Sequence, residues 1–365
     1  MRVLIAPAEH AGALSALEAT QAIAEGWRRR APDDELELVP MADGGPGFVD
    51  VLHASLGGEL LAVTVRGPYG GQVPGSVLLH GDAAYVESAQ ACGLRLGPEA
   101  ERDAERATTY GVGELLLAAV EAGARRVHVG LGGCGSNDGG AGLLAALGAV
   151  PEPATALERG AAGLGRLESV DLGAARDRLR AVGLVAATDV DSPLLGLVGT
   201  TNVHGAQRGL AADRLLVVDS WLERLAARTD RRLALARGAG AGGGLGFALL
   251  LLGAALSPGV DVVCRALGLL ERARRADLVL TGEGSFDFSS RSGTVPYGVA
   301  AVAAEALRPC VALAGRVLVG AREMRALGIE SAYSVSDLVG ERAVVDDPAG
   351  GLAALAERVA RTWSR

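Results

Sequence analysis

Short apolar runs alternate with helical patterns at both ends of the chain. Near the N terminus, residues 2–6 predict a strand, and Ser15 followed by Glu18 forms a capping-box pattern at the start of a helix. Near the C terminus, apolar runs at 278–280 and 311–313 predict buried strands between helical patterns. This alternation is typical of βαβ units and predicts a parallel α/β sheet.

The middle of the chain has a different pattern. Residues 59–87 alternate apolar and polar positions between Gly-Pro turns, which predicts antiparallel hairpins. Strands at 127–131 and 184–187 follow, and the apolar stripe of 213–237 predicts one long amphipathic helix. The sequence therefore predicts an α/β fold in which a second α/β domain with antiparallel strands is inserted into a Rossmann-like domain. The predicted boundaries are 1–58 and 238–365 for the Rossmann-like domain and 59–237 for the inserted domain.

Composition excludes several classes of protein. The chain has 365 residues with a net charge of −8, and all 35 of its basic residues other than histidine are arginine. Without lysine, Schiff-base chemistry, a pyridoxal phosphate enzyme and a Walker-type NTPase are excluded. Drift toward GC-rich codons explains the missing lysines. The negative charge predicts no nucleic-acid partner.

Other features predict a cytoplasmic protein without a membrane partner. The apolar run 247–256 fits a buried helix better than a membrane span, and the first residues lead directly into a strand rather than a secretory leader. The cysteines at positions 92, 134, 264 and 310 form no CxxC pair. We therefore expect a reducing compartment and no structural zinc.

Candidate chemistry is concentrated where the predicted strands end. Each of these segments carries a carboxylate, and several carry closely spaced glycines. Glycine amides can approach phosphate oxygens, while carboxylates can hold Mg²⁺ or accept a hydroxyl proton, so the combination suits phosphoryl transfer. The segments are 7–12, 43–45, 132–140, 189–191 and 281–287.

Each of these signals also has a simpler interpretation. Residues 130–135 match GxGxxG, but no acid ends a second strand about twenty residues later, which disfavours a dinucleotide site. The glycines can serve tight turns, and Asn137-Asp138 can be an ordinary helix cap. Asp189 and Asp191 face the same side of an extended chain, so they form either a two-carboxylate cation site or a solvated turn before Pro193.

Taken together and in this order, the motifs resemble the bacterial glycerate kinase family of type I over nearly the whole chain. The matching segments are Ala6-Pro7 with 12–16; 41–45 (Met-Ala-Asp-Gly-Gly); 108–114; 132–140, with Asn-Asp-Gly-Gly at 137–140; 189–196; 238–247; and 281–296, which begins Thr-Gly-Glu-Gly.

The resemblance implies a two-domain enzyme that phosphorylates glycerate, or a similar small hydroxy acid, with ATP and Mg²⁺ in an interdomain cleft. A homodimer is a candidate assembly. Either Asp189 or Asp191 would hold the metal or act as base. The implied residues are Asp43, Asp189, Asp191 and Asp287 for catalysis; Asn137, Asp138, Glu283, Ser290 and Arg208 for substrate; Gly44, Gly45, Gly132, Gly133, Gly243 and Gly244 for phosphate; and Asp189 and Asp191 for metal.

The chain departs from the family pattern at cationic positions. Ala11, Ser285 and Thr294 stand where the family has lysine or arginine, whereas Arg208 replaces a family lysine and keeps its charge. Phosphate recognition depends on such cations. The alternative function is therefore a degenerate glycerate-kinase-like paralogue that binds a small ligand or regulates without catalysing.

Overall fold

The computed structural model describes residues 1–10, 12–287 and 293–364, and they form two compact units. The first unit contains residues 1–43, 50–56 and 260–365, except those outside the described ranges; the second contains 44–49 and 57–259.

The strands of the described residues are β1 (Arg2–Ile5), β2 (Glu35–Leu38), β3 (Glu59–Arg66), β4 (Gln72–His80), β5 (Ala83–Glu87), β6 (Arg126–Gly130), β7 (Val150–Glu152), β8 (Ser169–Asp171), β9 (Gly183–Ala187), β10 (Ala255–Ser257), β11 (Leu278–Thr281), β12 (Ser285–Phe286), β13 (Cys310–Ala314), β14 (Arg316–Val317) and β15 (Ser331–Ser334).

The α-helices are α1 (Ala16–Arg30), α2 (Phe48–Leu56), α3 (Ala89–Cys92), α4 (Tyr110–Glu121), α5 (Ala141–Ala146), α6 (Gly160–Leu164), α7 (Gly173–Leu179), α8 (Thr200–His204), α9 (Leu215–Arg228), α10 (Arg231–Ala234), α11 (Ala241–Leu251), α12 (Gly259–Ala266), α13 (Leu269–Arg275), α14 (Val295–Glu305), α15 (Ala321–Ala326), α16 (Val335–Val339), α17 (Glu341–Asp346) and α18 (Pro348–Trp363).

A parallel five-stranded sheet forms the centre of the first unit. Its order is β15-β13-β11-β1-β2, so strands from both chain ends lie side by side. The capping box predicted at Ser15 is present and begins α1, whose buried face, including Ile23 and Trp27, joins the core with α18. The Rossmann-like parallel sheet predicted from both chain ends is confirmed.

A mixed six-stranded sheet forms the centre of the second unit. Its order is β10-β9-β6-β5-β4-β3; the first four strands are parallel, while β3, β4 and β5 pair antiparallel. The predicted antiparallel strands within an α/β unit are therefore confirmed.

The division into units differs from the predicted boundary at residue 238. Strand β10 pairs with β9 of the second unit, so residues 238–259 pack there instead of continuing the first unit. Residues 44–49 also belong to the second unit, because the Gly44 carbonyl accepts a hydrogen bond from the Gly132 amide, at 3.0 Å.

Two predicted helices have different limits in the structure. The helix predicted over 213–237 is interrupted, because the Asp230 carboxylate accepts hydrogen bonds from the amides of Arg232 and Leu233 and so starts α10 as a separate helix. The buried helix predicted over 247–256 ends at Leu251, and strand β10 follows. In the described part of the chain, no helix combines the length and apolar character needed to cross a membrane.

Candidate active site

Four neighbouring parallel strands of the second unit end at one edge of its sheet. They are β5, β6, β9 and β10, and the chain that follows β6 and β9 carries most of the predicted site residues. Ligands of parallel α/β folds bind beyond the carboxyl ends of strands, so this edge is where recognition chemistry is expected.

The glycines after β6 allow two chain segments to approach each other closely. A Cβ added to Gly132 would lie 2.4 Å from the Gly45 Cα, and one added to Gly130 would lie 2.5 Å from the Gly44 carbonyl oxygen. The Gly132 amide already donates to the Gly44 carbonyl, so it is not available to a phosphate. These glycines have a packing role, and a phosphate role for Gly44, Gly45 and Gly133 stays a prediction.

A second glycine segment packs closely against the same loop. Gly242, Gly243 and Gly244 have φ values of +59°, +72° and +98°, a region that side chains other than glycine rarely adopt. A Cβ on Gly243 would lie 1.9 Å from the Ser136 carbonyl oxygen. Close packing therefore explains these glycines, and the predicted phosphate role of Gly243 and Gly244 is untested.

We expect the substitution Gly133→Ala to lower the free energy of unfolding by about 2 kcal/mol, because it combines left-handed strain with a new clash. Gly133 has φ +74°, and an added Cβ would meet the Pro46 Cγ at 2.9 Å. Gly123 has φ +91° with no atom within 4 Å of an added Cβ, so Gly123→Ala carries the strain alone, about 1 kcal/mol. Urea unfolding of both variants measures the difference. Equal losses would show that packing against Pro46 costs nothing.

Asp138 holds the loop after β6 in place. Its buried carboxylate accepts hydrogen bonds from the Thr109 amide and hydroxyl, both at 2.9 Å, and from the amides of Gly140 and Gly142 at the start of α5, at 2.9 and 3.1 Å. Burial raises its pKa, while these donors act in the opposite direction. These bonds position the loop and the start of α5, which is consistent with the helix-cap alternative; the substrate role of Asp138 stays a prediction.

Asn137 and Arg208 form a buried polar pair next to this loop. The Arg208 Nη1 donates to the Asn137 Oδ1 and to the Thr200 Oγ1, both at 2.9 Å, and its Nε donates to the Cys134 carbonyl at 3.3 Å. The Asn137 Nδ2 donates to the Thr201 Oγ1 at 2.9 Å, so both ends of that amide are engaged. Asn137 therefore orients the guanidinium and is itself fully buried.

The charge of Arg208 has no carboxylate partner among the described residues. The hydrogen bonds of its guanidinium to Cys134, Asn137 and Thr200 go to neutral acceptors, and only 7% of the residue is exposed. Burial lowers its pKa to about 10, so it stays charged at neutral pH. An uncompensated buried cation is costly, and an anionic ligand would supply the missing charge. The bonds use Nε and Nη1, leaving Nη2 for a further acceptor.

Two buried cysteines and a serine form a polar contact beside Arg208 that the sequence analysis did not predict. The Cys92 and Cys134 sulfurs lie 3.3 Å apart, and the Ser88 hydroxyl lies 3.1 Å from the Cys134 sulfur. The hydrogen bond from Cys92 is the main cause that lowers the pKa of Cys134, and Ser88 and the Arg208 charge add to it. The two cysteines are far apart in sequence, so no local spacing indicated the pair.

Thr109, the hydrogen-bond partner of Asp138, could have been found from the sequence, because it lies in segment 108–114, one of the motifs that carry the family resemblance.

Asp189 and Asp191 follow β9 but have different partners. Asp189 is half-buried, and its Oδ1 accepts a hydrogen bond from the Gly259 amide at 3.1 Å. Asp191 is exposed and forms an ion pair with Arg237. Within the described residues, no group of three or more His, Cys, Asp or Glu side chains is arranged to hold a metal ion. A shared cation site for the two carboxylates stays a prediction.

The remaining predicted site residues belong to the first unit. Asp43 is exposed, and Glu283 and Asp287 are half-buried in the segment after β11. The Glu283 carbonyl accepts a hydrogen bond from the Gly315 amide at 3.3 Å, which joins the segments after β11 and β13. Ser290 and Ala11 lie outside the described residues. Catalytic or substrate roles for Asp43, Glu283 and Asp287 stay predictions.

Comparison with known proteins gives consistent matches over nearly the full length. The model of the glycerate kinase family matches residues 3–364. The glycerate 2-kinase of Escherichia coli K12 is 38% identical over 349 residues, covering 93% of this chain and 92% of that protein. The glycerate kinase of Bacillus subtilis 168 is 37% identical over 344 residues, covering 92% and 90%. A crystal structure assigned as glycerate kinase 2 from Salmonella typhimurium LT2 superposes with a TM-score of 0.83 at 36% identity, covering 99% and 98%.

Proposed function

Because this chain belongs to the glycerate kinase family and is a glycerate-kinase-like phosphotransferase, we propose that it transfers the terminal phosphoryl group of ATP to a hydroxyl of glycerate. The relatives carry names that specify glycerate. The same chemistry extends to similar small hydroxy acids, which share the carboxylate and the adjacent hydroxyl.

The observation that carries this proposal is the buried guanidinium of Arg208. Neutral acceptors on Asn137, Thr200 and Cys134 fix its direction, and within the described residues it has no carboxylate partner. Glycerate is an anion whose carboxylate matches the fork of a guanidinium. Arg208 would therefore bind the substrate carboxylate, and Asn137 would keep the guanidinium oriented for it.

The carboxylates of this site fit a Mg²⁺ ion that is bound to ATP better than a Mg²⁺ ion held by protein ligands alone. Mg²⁺ bound to ATP takes several oxygens from phosphates and water and needs only one or two protein carboxylates. Asp189, half-buried at the end of β9, is the carboxylate we propose for this role or for accepting the hydroxyl proton. Bound Mg²⁺ would neutralise phosphate charge during transfer. The exposed ion pair of Asp191 with Arg237 makes Asp191 the weaker candidate.

One observation favours the alternative of a non-catalytic paralogue. Ser285 and Thr294 are neutral, and the resemblance leads one to expect cations there; the whole chain contains no lysine to replace them. If the relatives need those cations to transfer the phosphoryl group, this chain would bind a small ligand without phosphorylating it. The expected location of the reaction in an interdomain cleft, the cytoplasmic location and the homodimer stay predictions from the sequence.

A direct assay of the full chain tests the proposal. We expect purified protein with D-glycerate, ATP and Mg²⁺ to produce ADP and a phosphoglycerate, observed by coupled ADP detection and ³¹P NMR. Glycerol carries the same hydroxyl groups without the carboxylate, so we expect glycerol to be phosphorylated at least 100-fold less efficiently, on the order of 3 kcal/mol of lost transition-state binding.

The control reaction contains EDTA in place of free Mg²⁺ and should show no turnover. Glycerate binding without turnover in any condition would support the non-catalytic paralogue. Equal use of glycerol and glycerate would refute a role for the buried Arg208 in selecting the substrate.

A further inference from the structure

The polar groups around Arg208 form a closed ring of hydrogen bonds. The Arg208 Nη1 donates to the Thr200 Oγ1 and to the Asn137 Oδ1, each at 2.9 Å. The Asn137 Nδ2 donates in turn to the Thr201 Oγ1, also at 2.9 Å. Thr200 and Thr201 are neighbours in the chain and begin α8, so the ring joins the loop after β6 to the first turn of that helix.

The ring is closed off from water. Asn137, Thr200 and Thr201 have no exposed surface, and Arg208 is buried as well. Water therefore cannot replace a partner that is lost from the ring, and a donor left unpaired there keeps its full desolvation cost. The position of each member consequently depends on the hydrogen bonds of the others.

The donor and acceptor chemistry of the ring requires an acceptor at position 201. A guanidinium can only donate, so Arg208 pairs with the Oδ1 end of Asn137. The Nδ2 end of the same amide can only donate, and the Thr201 hydroxyl is the acceptor that it reaches. A serine at this position would offer the same acceptor, whereas a valine or an alanine would offer none.

We propose that Thr201 is a positioning residue for the substrate carboxylate, acting through Asn137 on the direction of the Arg208 guanidinium. The inference rests on the proposed function, in which Arg208 binds the carboxylate of glycerate. It goes further in giving a role in substrate affinity to a residue outside the set that the family resemblance implies. Because Thr201 acts only through that guanidinium, it should affect glycerate affinity and leave phosphoryl transfer itself unchanged.

The backbone of α8 holds Thr201 in place without help from a ligand. The Thr200 amide donates to the Pro193 carbonyl at 3.1 Å, and the Thr201 carbonyl accepts from the Gly205 amide at 2.8 Å. The hydroxyl is therefore presented to Asn137 by a turn that is fixed at both ends. An acceptor that is ordered before the substrate arrives spares the cost of ordering it on binding.

Removing the hydroxyl of Thr201 tests this inference in the full-length protein. Thr201→Val keeps the branched shape, and we expect it to raise both KM and the calorimetric Kd for glycerate about tenfold, the effect of one lost buried hydrogen bond, with kcat within about twofold. Thr201→Ala removes the same hydroxyl with a smaller side chain and should give the same shift. Thr201→Ser keeps the acceptor and should stay within about twofold of the wild type.

A second buried threonine provides the matched control. Thr20 is 2% exposed, and its hydroxyl donates to the Ala16 carbonyl within α1, at 2.6 Å. Thr20→Val also removes a buried hydroxyl, but one in the first unit without a bond to the ring, so KM for glycerate should not change.

A double-mutant cycle shows whether Thr201 acts through Arg208. Once Arg208→Met has removed the guanidinium, there is no charge left to orient, so adding Thr201→Val should raise KM by less than about twofold. A further tenfold rise in the double variant would show that Thr201 acts independently of Arg208 and would overturn the proposal.

The side-chain amide of Asn137 gives a readout that needs neither substrate nor turnover. The chain contains asparagine only at positions 137 and 202, so ¹⁵N labelling of asparagine gives two side-chain amide signals. Asn202 bonds the Gly196 carbonyl at the surface, which separates its signal from that of buried Asn137. In Thr201→Val the Asn137 amide proton should shift upfield because it loses its acceptor, and in Thr201→Ser it should not. An unchanged signal in Thr201→Val would count against the proposal.

The outcomes separate this inference from the proposed function. If the protein phosphorylates glycerate but Thr201→Val and Thr201→Ala keep the wild-type KM, the function stands and the positioning role is overturned. If glycerate binds without being phosphorylated and binds tenfold more weakly to Thr201→Val, the positioning role holds and the kinase function fails. If the wild type neither binds nor phosphorylates glycerate, both are overturned.

Discussion

Replacing Arg208 with methionine is expected to lower kcat/KM for glycerate about 100-fold, on the order of 3 kcal/mol, because the substrate carboxylate loses a buried, charge-assisted partner. Methionine keeps an unbranched stem in the same space. Removing the buried charge also removes its desolvation cost, which stabilises the fold. The loss of the hydrogen bonds to Asn137 and Thr200 destabilises it, so the two effects oppose each other. We therefore expect the melting temperature to change by only a few degrees.

The conservative variant Arg208→Lys separates charge from geometry. Lysine keeps the positive charge but cannot reproduce the fork that bonds Asn137, Thr200 and the Cys134 carbonyl together, so we expect a loss of about tenfold, mainly in KM. Arg180, an exposed arginine paired with Asp177, provides the control substitution Arg180→Met, which should leave both parameters unchanged. Wild-type kinetics in Arg208→Met would show that the guanidinium does not contact glycerate.

The elements of the fold were predictable where local signals determine them. Ser15 and Glu18 cap each other within one turn of helix, and the alternating residues of 59–87 pair as hairpins. The parallel sheet followed from strands separated by helical patterns at both chain ends. Such signals depend on residues that are close in sequence, so they can be recognised without knowledge of the rest of the structure. The interruption of the helix predicted over 213–237 was missed because Asp230 is also tolerated inside a helix.

The sequence predicted positions for the site, but it could not predict what the side chains at those positions contact. The strand-end rule directed attention to 132–140, and the family resemblance directed attention to Arg208; the structure places Asn137 against that guanidinium. Whether a glycine faces a phosphate or another chain segment depends on long-range packing, as the contact of Gly132 with Gly45 shows. The same limit applies to the pair Cys92 and Cys134. Their neighbours come from distant segments, which periodicity cannot bring together.

Asp138→Ala is expected to lower the free energy of unfolding by about 4 kcal/mol, because it leaves buried donors without an acceptor. The Thr109 amide and hydroxyl and the amides of Gly140 and Gly142 all bond to this carboxylate. Asp171 is a matched control, since its exposed carboxylate accepts a similar local bond from the Gly173 amide, at 2.8 Å. Water can replace that bond, so Asp171→Ala should cost less than about 1 kcal/mol.

Urea unfolding gives both differences, and hydrogen exchange gives their location. In Asp138→Ala we expect the amides of Gly140 and Gly142 to lose protection first, because the carboxylate bonds them directly. Asn137 lies next in the chain and orients Arg208, so the KM for glycerate should rise together with the loss of protection. Equal stability losses in Asp138→Ala and Asp171→Ala, with protection retained at Gly140, would refute the positioning role. Loss of protection with an unchanged KM would separate the loop from the substrate site.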